Sequence, residues 1–165
     1  MTLPVTTEEF WKGRILDTIA RGRDLHTIIY DTDYETWRNI QNETTGVMSR
    51  LLNKGMLVLD AGCGYGAMFE CMPPGVKYTG IDLSNDLLGI GRIRYPEARF
   101  YAMDMTRIPF ATKYFDVAVC RSIAGMLKEN EQEDTWDEIK TELQRVAKKL
   151  VTIEYGDVLG YKEYV

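Results

Sequence analysis

The run Leu57-Val58-Leu59-Asp60-Ala61-Gly62-Cys63-Gly64-Tyr65-Gly66 constrains the fold more than any other stretch of this chain. A short apolar segment followed by glycine at every second position reads as a buried strand that turns sharply into a helix. Glycine is needed there because a side chain would fill the space into which a ligand approaches the backbone. A glycine-rich turn with no ligand is the weaker reading, since three alternating glycines lie between an apolar run and a helical pattern.

The surrounding pattern agrees. Short apolar runs at 56–60, 77–82, 99–103, 115–120 and 150–154 predict five strands. Segments 66–72, 84–95 and 134–149 predict the helices between them, the last with Trp136, Ile139, Leu143, Val146 and Leu150 along one stripe. Upstream, Thr6 with Glu9 reads as a capping box that opens a helix carrying Phe10, Trp11, Ile15 and Ile19. Thr32 with Glu35 repeats that signal before Trp37, Ile40, Val47 and Leu51, a helix expected to end near Asn53 at Gly55, with Gly46 as a weak point inside it. The expectation is an α/β, Rossmann-like parallel sheet with helices on both faces and two N-terminal helices. Residues 1–165 would form a single domain, with 1–54 a helical cap and 55–165 the core.

Composition narrows the classes. At 165 residues and 45% hydrophobic content the chain is near the usual size of one domain. No stretch approaches the roughly 20 apolar residues of a membrane span, and MTLPVTTEEF lacks the regions of a signal peptide, so a cytoplasmic protein is expected. Cys63, Cys71 and Cys120 are odd in number and form no CxxC pair, which argues against a disulfide framework or zinc cluster. A net charge of −5 argues against broad contact with nucleic acid.

Taken alone, the glycine loop is open between two cofactors. Gly62, Gly64 and Ala67 also satisfy the dinucleotide pattern, and Asp82, about 20 residues on, suits either chemistry by accepting hydrogen bonds from ribose hydroxyls. Asp60, two residues before the first glycine, together with Gly80-Ile81-Asp82-Leu83-Ser84, Asp104, Ile108-Pro109-Phe110 and Phe115-Asp116-Val117, resembles the class I S-adenosylmethionine (SAM)-dependent methyltransferases, in particular the small-molecule group with a D-x-G-C-G-x-G loop. The resemblance covers roughly residues 57–119. It implies SAM as cofactor and a small-molecule acceptor.

Carried over by position, the resemblance implies cofactor contacts from Asp60, Gly62, Cys63, Gly64 and Gly66. Asp60 would anchor the methionine part, Asp82 would bind the ribose, and Leu83 and Leu87 would flank the adenine. Asp104 would accept from the adenine amino group, with the Met105 amide on a ring nitrogen. Arg121 and Ser122 would lie near the methionine end, and Tyr30 would shape the pocket. Asp116, which opens a strand, reads as structural.

For a proton-bearing acceptor the candidate bases are few. Tyr30, His26 and Glu154 are weak candidates, with Asp157 beside Glu154 at the end of the fifth strand. His26, the only histidine, reads more readily as a surface or helix-end residue, and Trp37 as a packing residue. Arg121-Ser122-Ile123 offers no carboxylate set for a metal, so none is expected, and it lacks the proline-stiffened segment of amino-directed DNA methyltransferases.

Two departures from the family pattern stand out. Arg145-Val146-Ala147-Lys148-Lys149 runs into Leu150 without the usual Pro-Gly-Gly turn, and only about ten residues follow the fifth strand, room for one short strand such as 161–165. The sheet is therefore expected to be truncated after about the fifth strand, leaving that strand's edge to be covered by another copy in a homo-oligomer. The shortening also keeps open a SAM-binding module without transfer activity, acting as a regulator or as a subunit of a complex.

Overall fold

A computed structural model describes residues 6–155 and 159–165; Asp157 lies outside the described residues. Helices α1 (Glu8–Ala20) and α2 (Tyr34–Leu51) come first, joined through a 3₁₀ turn at Leu25–Ile28. Strands β1 (Leu57–Ala61) and β2 (Lys77–Asp82) follow, then α3 (Asn85–Arg94), β3 (Arg99–Ala102), β4 (Phe115–Arg121), α4 (Ile123–Glu129), α5 (Glu133–Val146), β5 (Ala147–Tyr155) and β6 (Leu159–Tyr164). The sheet order is β3-β2-β1-β4-β5-β6, parallel except for β6, which runs antiparallel to β5. This is the Rossmann-like architecture that alternating strand and helix predicts, with the chain reversing direction on the sheet between β1 and β4.

Both faces of the central strands are covered. Leu59, Ala118, Cys120 and Leu150 pack beneath α4 and α5 with Leu127, Ile139, Leu143 and Val146. On the other face, Val58, Val117, Val119, Val151 and Ile153 meet Val47, Met48 and Leu52. Fully burying side chains of this size is worth about 1.5–3 kcal/mol each, so the two layers fix the sheet's central strands.

The caps fall one residue later than expected. Thr7, not Thr6, accepts from the Phe10 N–H, while the Thr6 hydroxyl accepts from Gln132 Nε2 at 3.1 Å. Asp33, not Thr32, caps α2, because the Thr32 carbonyl is taken by the His26 ring. Gly46 does not interrupt α2, whose buried residues Thr44, Val47 and Met48 carry the helix through it. The helix expected over 66–72 is a 3₁₀ turn, Ala67–Cys71, since Pro73 and Pro74 follow at once and disfavour helical geometry before them. Strand β5 begins at Ala147 rather than Leu150, pairing Phe115 with Ala147 and Val117 with Lys149. Helix α4 had no counterpart in the sequence reading.

One expectation is overturned. The edge of β5 is not left open, because β6 pairs with it from Leu150↔Tyr164 to Tyr155↔Leu159. The ten residues after β5 are long enough to double back, and an antiparallel return needs only a short connection where another parallel strand would need a crossover.

Candidate functional site

A cavity of about 580 Å³ opens at the carboxyl ends of β1, β2 and β4, the side where open parallel sheets take ligands. Gly62, Gly64, Asp82, Leu83, Leu87, Asp104, Met105, Arg121, Ser122, Tyr30 and Glu154 all line it. Asp60, Cys63, Gly66 and His26 do not.

The glycines earn their places in different ways. Gly62, Gly64 and Gly66 all have positive φ, at 71°, 55° and 82°. A Cβ on Gly66 would meet Phe100 at 2.6 Å, so that glycine serves packing between the loop and β3. At Gly62 and Gly64 the same space is held by Ile123 and Ile29, each with a Cδ1 2.6 Å from the would-be Cβ. Apolar side chains from α4 and from the N-terminal segment thus close directly onto the loop.

Asp82 ties the loop to the second strand. Its Oδ2 accepts from the Gly64 N–H at 2.8 Å and its Oδ1 from the Ser84 N–H at 2.9 Å. Burial raises its pKa, and those backbone donors pull it back down. Each oxygen keeps acceptor capacity toward the cavity. Asp104 is exposed and turns its own loop, Oδ1 accepting from the Thr106 N–H and hydroxyl, while also lining the cavity. The turn role and the cavity role coexist in that residue.

Asp60 lies deeper. It is 2% exposed, accepts from the Tyr78 hydroxyl at 2.6 Å, and is pushed up to about 6 by burial, against the pull of Tyr78 and of Arg121. Cys63 points away from the cavity, its Sγ on the floor beneath Gly80. Asp116 joins strands, accepting from the Leu57 N–H and from Lys148, which lowers its pKa.

Arg121, at the end of β4, is the only cationic residue lining the cavity among the described residues. It is 9% exposed, donates to Gln41 Oε1 at 2.7 Å and Thr44 Oγ1 at 3.2 Å, and lies over the rings of Tyr30 and Trp37. Among the described residues no carboxylate forms an ion pair with it. A buried guanidinium whose hydrogen-bond partners among the described residues are neutral is suited to an anionic ligand group. Gln41 also donates to the Ala67 carbonyl, linking α2 to the glycine loop.

His26 is neither a surface residue nor part of the cavity. It is buried, its Nε2 lies 2.9 Å from the Thr32 carbonyl oxygen and so carries the hydrogen, and its ring stacks on Trp37 at 5.6 Å. Trp37 packs, as expected. Sequence reasoning missed, among others, Trp11, Ile29, Gly125, Met126, Glu129 and Tyr155, which also line the cavity. They come from α1, the N-terminal connection, α4 and the end of β5, and no local motif marks them. No group of three or more metal-ligating side chains occurs among the described residues, and no helix there is long and apolar enough to cross a membrane.

Residues 58–146, more than half of the chain, match the family model described as a methyltransferase domain. The chain belongs to the class I SAM-dependent methyltransferase family. A demethylmenaquinone methyltransferase of Renibacterium salmoninarum is 32% identical over 124 residues, 73% of this chain and 48% of that protein. The chain spans between about a quarter and half the length of the curated relatives it matches. Among solved structures, magnesium protoporphyrin IX methyltransferase from Synechocystis with bound SAM aligns with a TM-score of 0.58 at 20% identity, covering 73% of this chain and 61% of that one. A [4+2]-cyclase aligns at 0.59 and 23% identity, covering 69% and 44%.

The donor set fits SAM. The cavity's size lies within the range of small-molecule sites. Apolar Leu83, Leu87 and Met105 suit a flat base, the Asp82 carboxylate suits a diol, and Arg121 supplies a buried cation where the resemblance puts the methionine end of the cofactor.

Proposed function

We propose that this chain binds SAM in the cavity and directs its methyl group to a small-molecule acceptor. In this reading Asp82 takes the ribose hydroxyls, Leu83, Leu87 and Met105 flank the adenine, Asp104 meets its amino group, and Arg121 takes the methionine carboxylate. Asp60, Cys63 and Gly66 act from beneath the loop, holding its shape. The bound sulfonium supplies an activated methyl group, so the protein's work is to orient an acceptor and exclude water. Ile29 and Ile123 close on the loop and Tyr30 spans to Ser122, which serves that exclusion.

The observation that carries this reading is the buried guanidinium of Arg121, in no ion pair among the described residues, in the same cavity as Asp82. Calorimetric titration with SAM, S-adenosylhomocysteine and NAD tests it. Binding of the first two is expected, with Asp82→Ala abolishing it, since hydrogen bonds to a charged acceptor are worth about 1.5–3 kcal/mol each. Binding of NAD alone, or unchanged affinity in Asp82→Ala, would overturn it.

A second reading is a SAM-binding module without transfer, acting as a regulator or as a subunit of a complex. The cyclase shares the fold under a name that is not methyl transfer, so architecture alone does not set the reaction. Pairing between copies would run along β6, where Tyr161 is 41% exposed, and a strictly monomeric mass by light scattering would exclude it. The three buried free cysteines suit a reducing, cytoplasmic setting.

A further inference from the structure

Beyond the loop and Arg121, the cavity extends between α1, α4 and the end of β5. Trp11, Tyr30, Met126 and Tyr155 form its apolar and aromatic wall there, and Glu154 enters it from β5. The Glu154 carboxylate is held at one oxygen only. Oε2 accepts from the Gly125 N–H at 3.2 Å, while Oε1 is shut off from solvent and has no hydrogen-bond partner among the described residues. Gly125 makes that seat possible, since a Cβ there would come within 2.9 Å of Oε2.

The charges point one way. Among the described residues four carboxylates line the cavity, those of Asp82, Asp104, Glu129 and Glu154, against the single guanidinium of Arg121. In the reading above Asp82 and Asp104 serve the nucleoside and Arg121 serves the cofactor's carboxylate. Glu154 and Glu129 remain for the acceptor, with no further cation lining the cavity among the described residues. A desolvated carboxylate oxygen without a donor is costly, and a neutral hydroxyl relieves that cost less than a positive charge does. Resting on the SAM reading, we propose that the acceptor is an amine, protonated in solution and carried on an aromatic or apolar body, whose nitrogen donates to the Glu154 carboxylate.

The same carboxylate then has a chemical task. An ammonium has no lone pair, so one N–H proton passes to the Glu154 carboxylate and leaves the nitrogen pair free. That pair forms the C–N bond as the C–S bonding pair returns to sulfur. The products are the N-methyl ammonium and S-adenosylhomocysteine, and Glu154 releases its proton to solvent. Burial, and then the nearby charge of Glu129, raise the Glu154 pKa, while the N–H groups of Gly125 and Ala124 lower it. A carboxylate raised in this way is better able to hold that proton briefly.

Two matched pairs test the proposal by calorimetry on the complex with S-adenosylhomocysteine, namely phenethylamine against 2-phenylethanol and tryptamine against tryptophol. Each amine is expected to bind at least tenfold tighter than its alcohol at pH 7.5. Glu154→Gln should erase that preference while leaving S-adenosylhomocysteine affinity within twofold. Gly125→Ala keeps the charge but displaces the carboxylate, and is expected to cut the preference severalfold, which covers the case in which Glu154→Gln folds poorly. Equal binding of the alcohols, a preference that survives in Glu154→Gln, or no amine binding at all would overturn the proposal. Failure of S-adenosylhomocysteine itself to bind would instead remove the SAM reading on which it rests.

Discussion

The Tyr30 hydroxyl lies 2.5 Å from the Ser122 hydroxyl, joining the segment between α1 and α2 to the residue that follows β4. Ser122 holds φ at 59°, a left-handed conformation that a serine adopts at a cost of about 1 kcal/mol or more. The bond therefore clasps the N-terminal segment to the sheet at a strained residue. Tyr30→Phe is expected to lower stability in urea by about 1 kcal/mol, the usual worth of one hydrogen bond. Ser122→Gly loses the same bond but sheds the backbone strain, so its stability should stay near that of the wild type. Equal losses in the two variants would show that Ser122 stores no strain.

Much of the architecture was legible because its signals are local. Leu57 to Asp60, Lys77 to Asp82 and Phe115 to Cys120 are apolar runs bounded by turn residues, and each is a strand. The stripe through Ile139, Leu143 and Val146 is buried along its length. What stayed hidden depends on partners far away in the chain. The placement of the α2 cap was decided by the His26 ring reaching the Thr32 carbonyl, and the fate of the β5 edge by a strand returning on it. In the site, Asp82 and Arg121 could be picked out by position. Gln41, which supports Arg121 from a helix 80 residues earlier, could not.

Gly64 couples the loop to the N-terminal segment. Alanine there would adopt a left-handed φ and set its Cβ 2.6 Å from Ile29 Cδ1. Gly64→Ala is expected to cost about 2 kcal/mol, of which about 1 kcal/mol is backbone strain that no neighbour can relieve. Ile29→Ala removes the clash, so the double variant should recover the steric part and keep the strain. A double-mutant cycle in urea that gives strictly additive losses would mean that Ile29 does not rest on the loop.

Asp60 sets a pH dependence whose sign follows from burial. Its pKa is about 6 in the folded protein against 3.8 for the free group, so its neutral form is the one the fold favours. The stability it contributes is fully present below pH 3.8 and is lost as pH rises through about 6. That loss totals about 3 kcal/mol, roughly half of it between pH 5 and pH 8. Asp60→Asn has no such titration and can still accept from Tyr78. The ligand-free variant should therefore gain about 1.5 kcal/mol on the wild type between pH 5 and pH 8 in paired urea titrations. A constant difference across that range would contradict a buried, titrating Asp60.

Arg121 separates what the fold needs from what the ligand needs. Its guanidinium is buried over the Tyr30 and Trp37 rings and held by Gln41 and Thr44, with no acid paired to it among the described residues. Exchanging such a group for an apolar side chain of similar length commonly leaves stability unchanged or raises it, because the desolvated charge is removed along with its contacts. Arg121→Met is accordingly expected to unfold within about 1 kcal/mol of the wild type. The same change strips the cavity of its cation, so affinity for S-adenosylhomocysteine should fall by about tenfold or more, the scale of one charge-assisted contact. Calorimetry and urea unfolding on one preparation decide it: a variant that binds as the wild type does would show that Arg121 serves the fold, and that the carboxylate is held elsewhere.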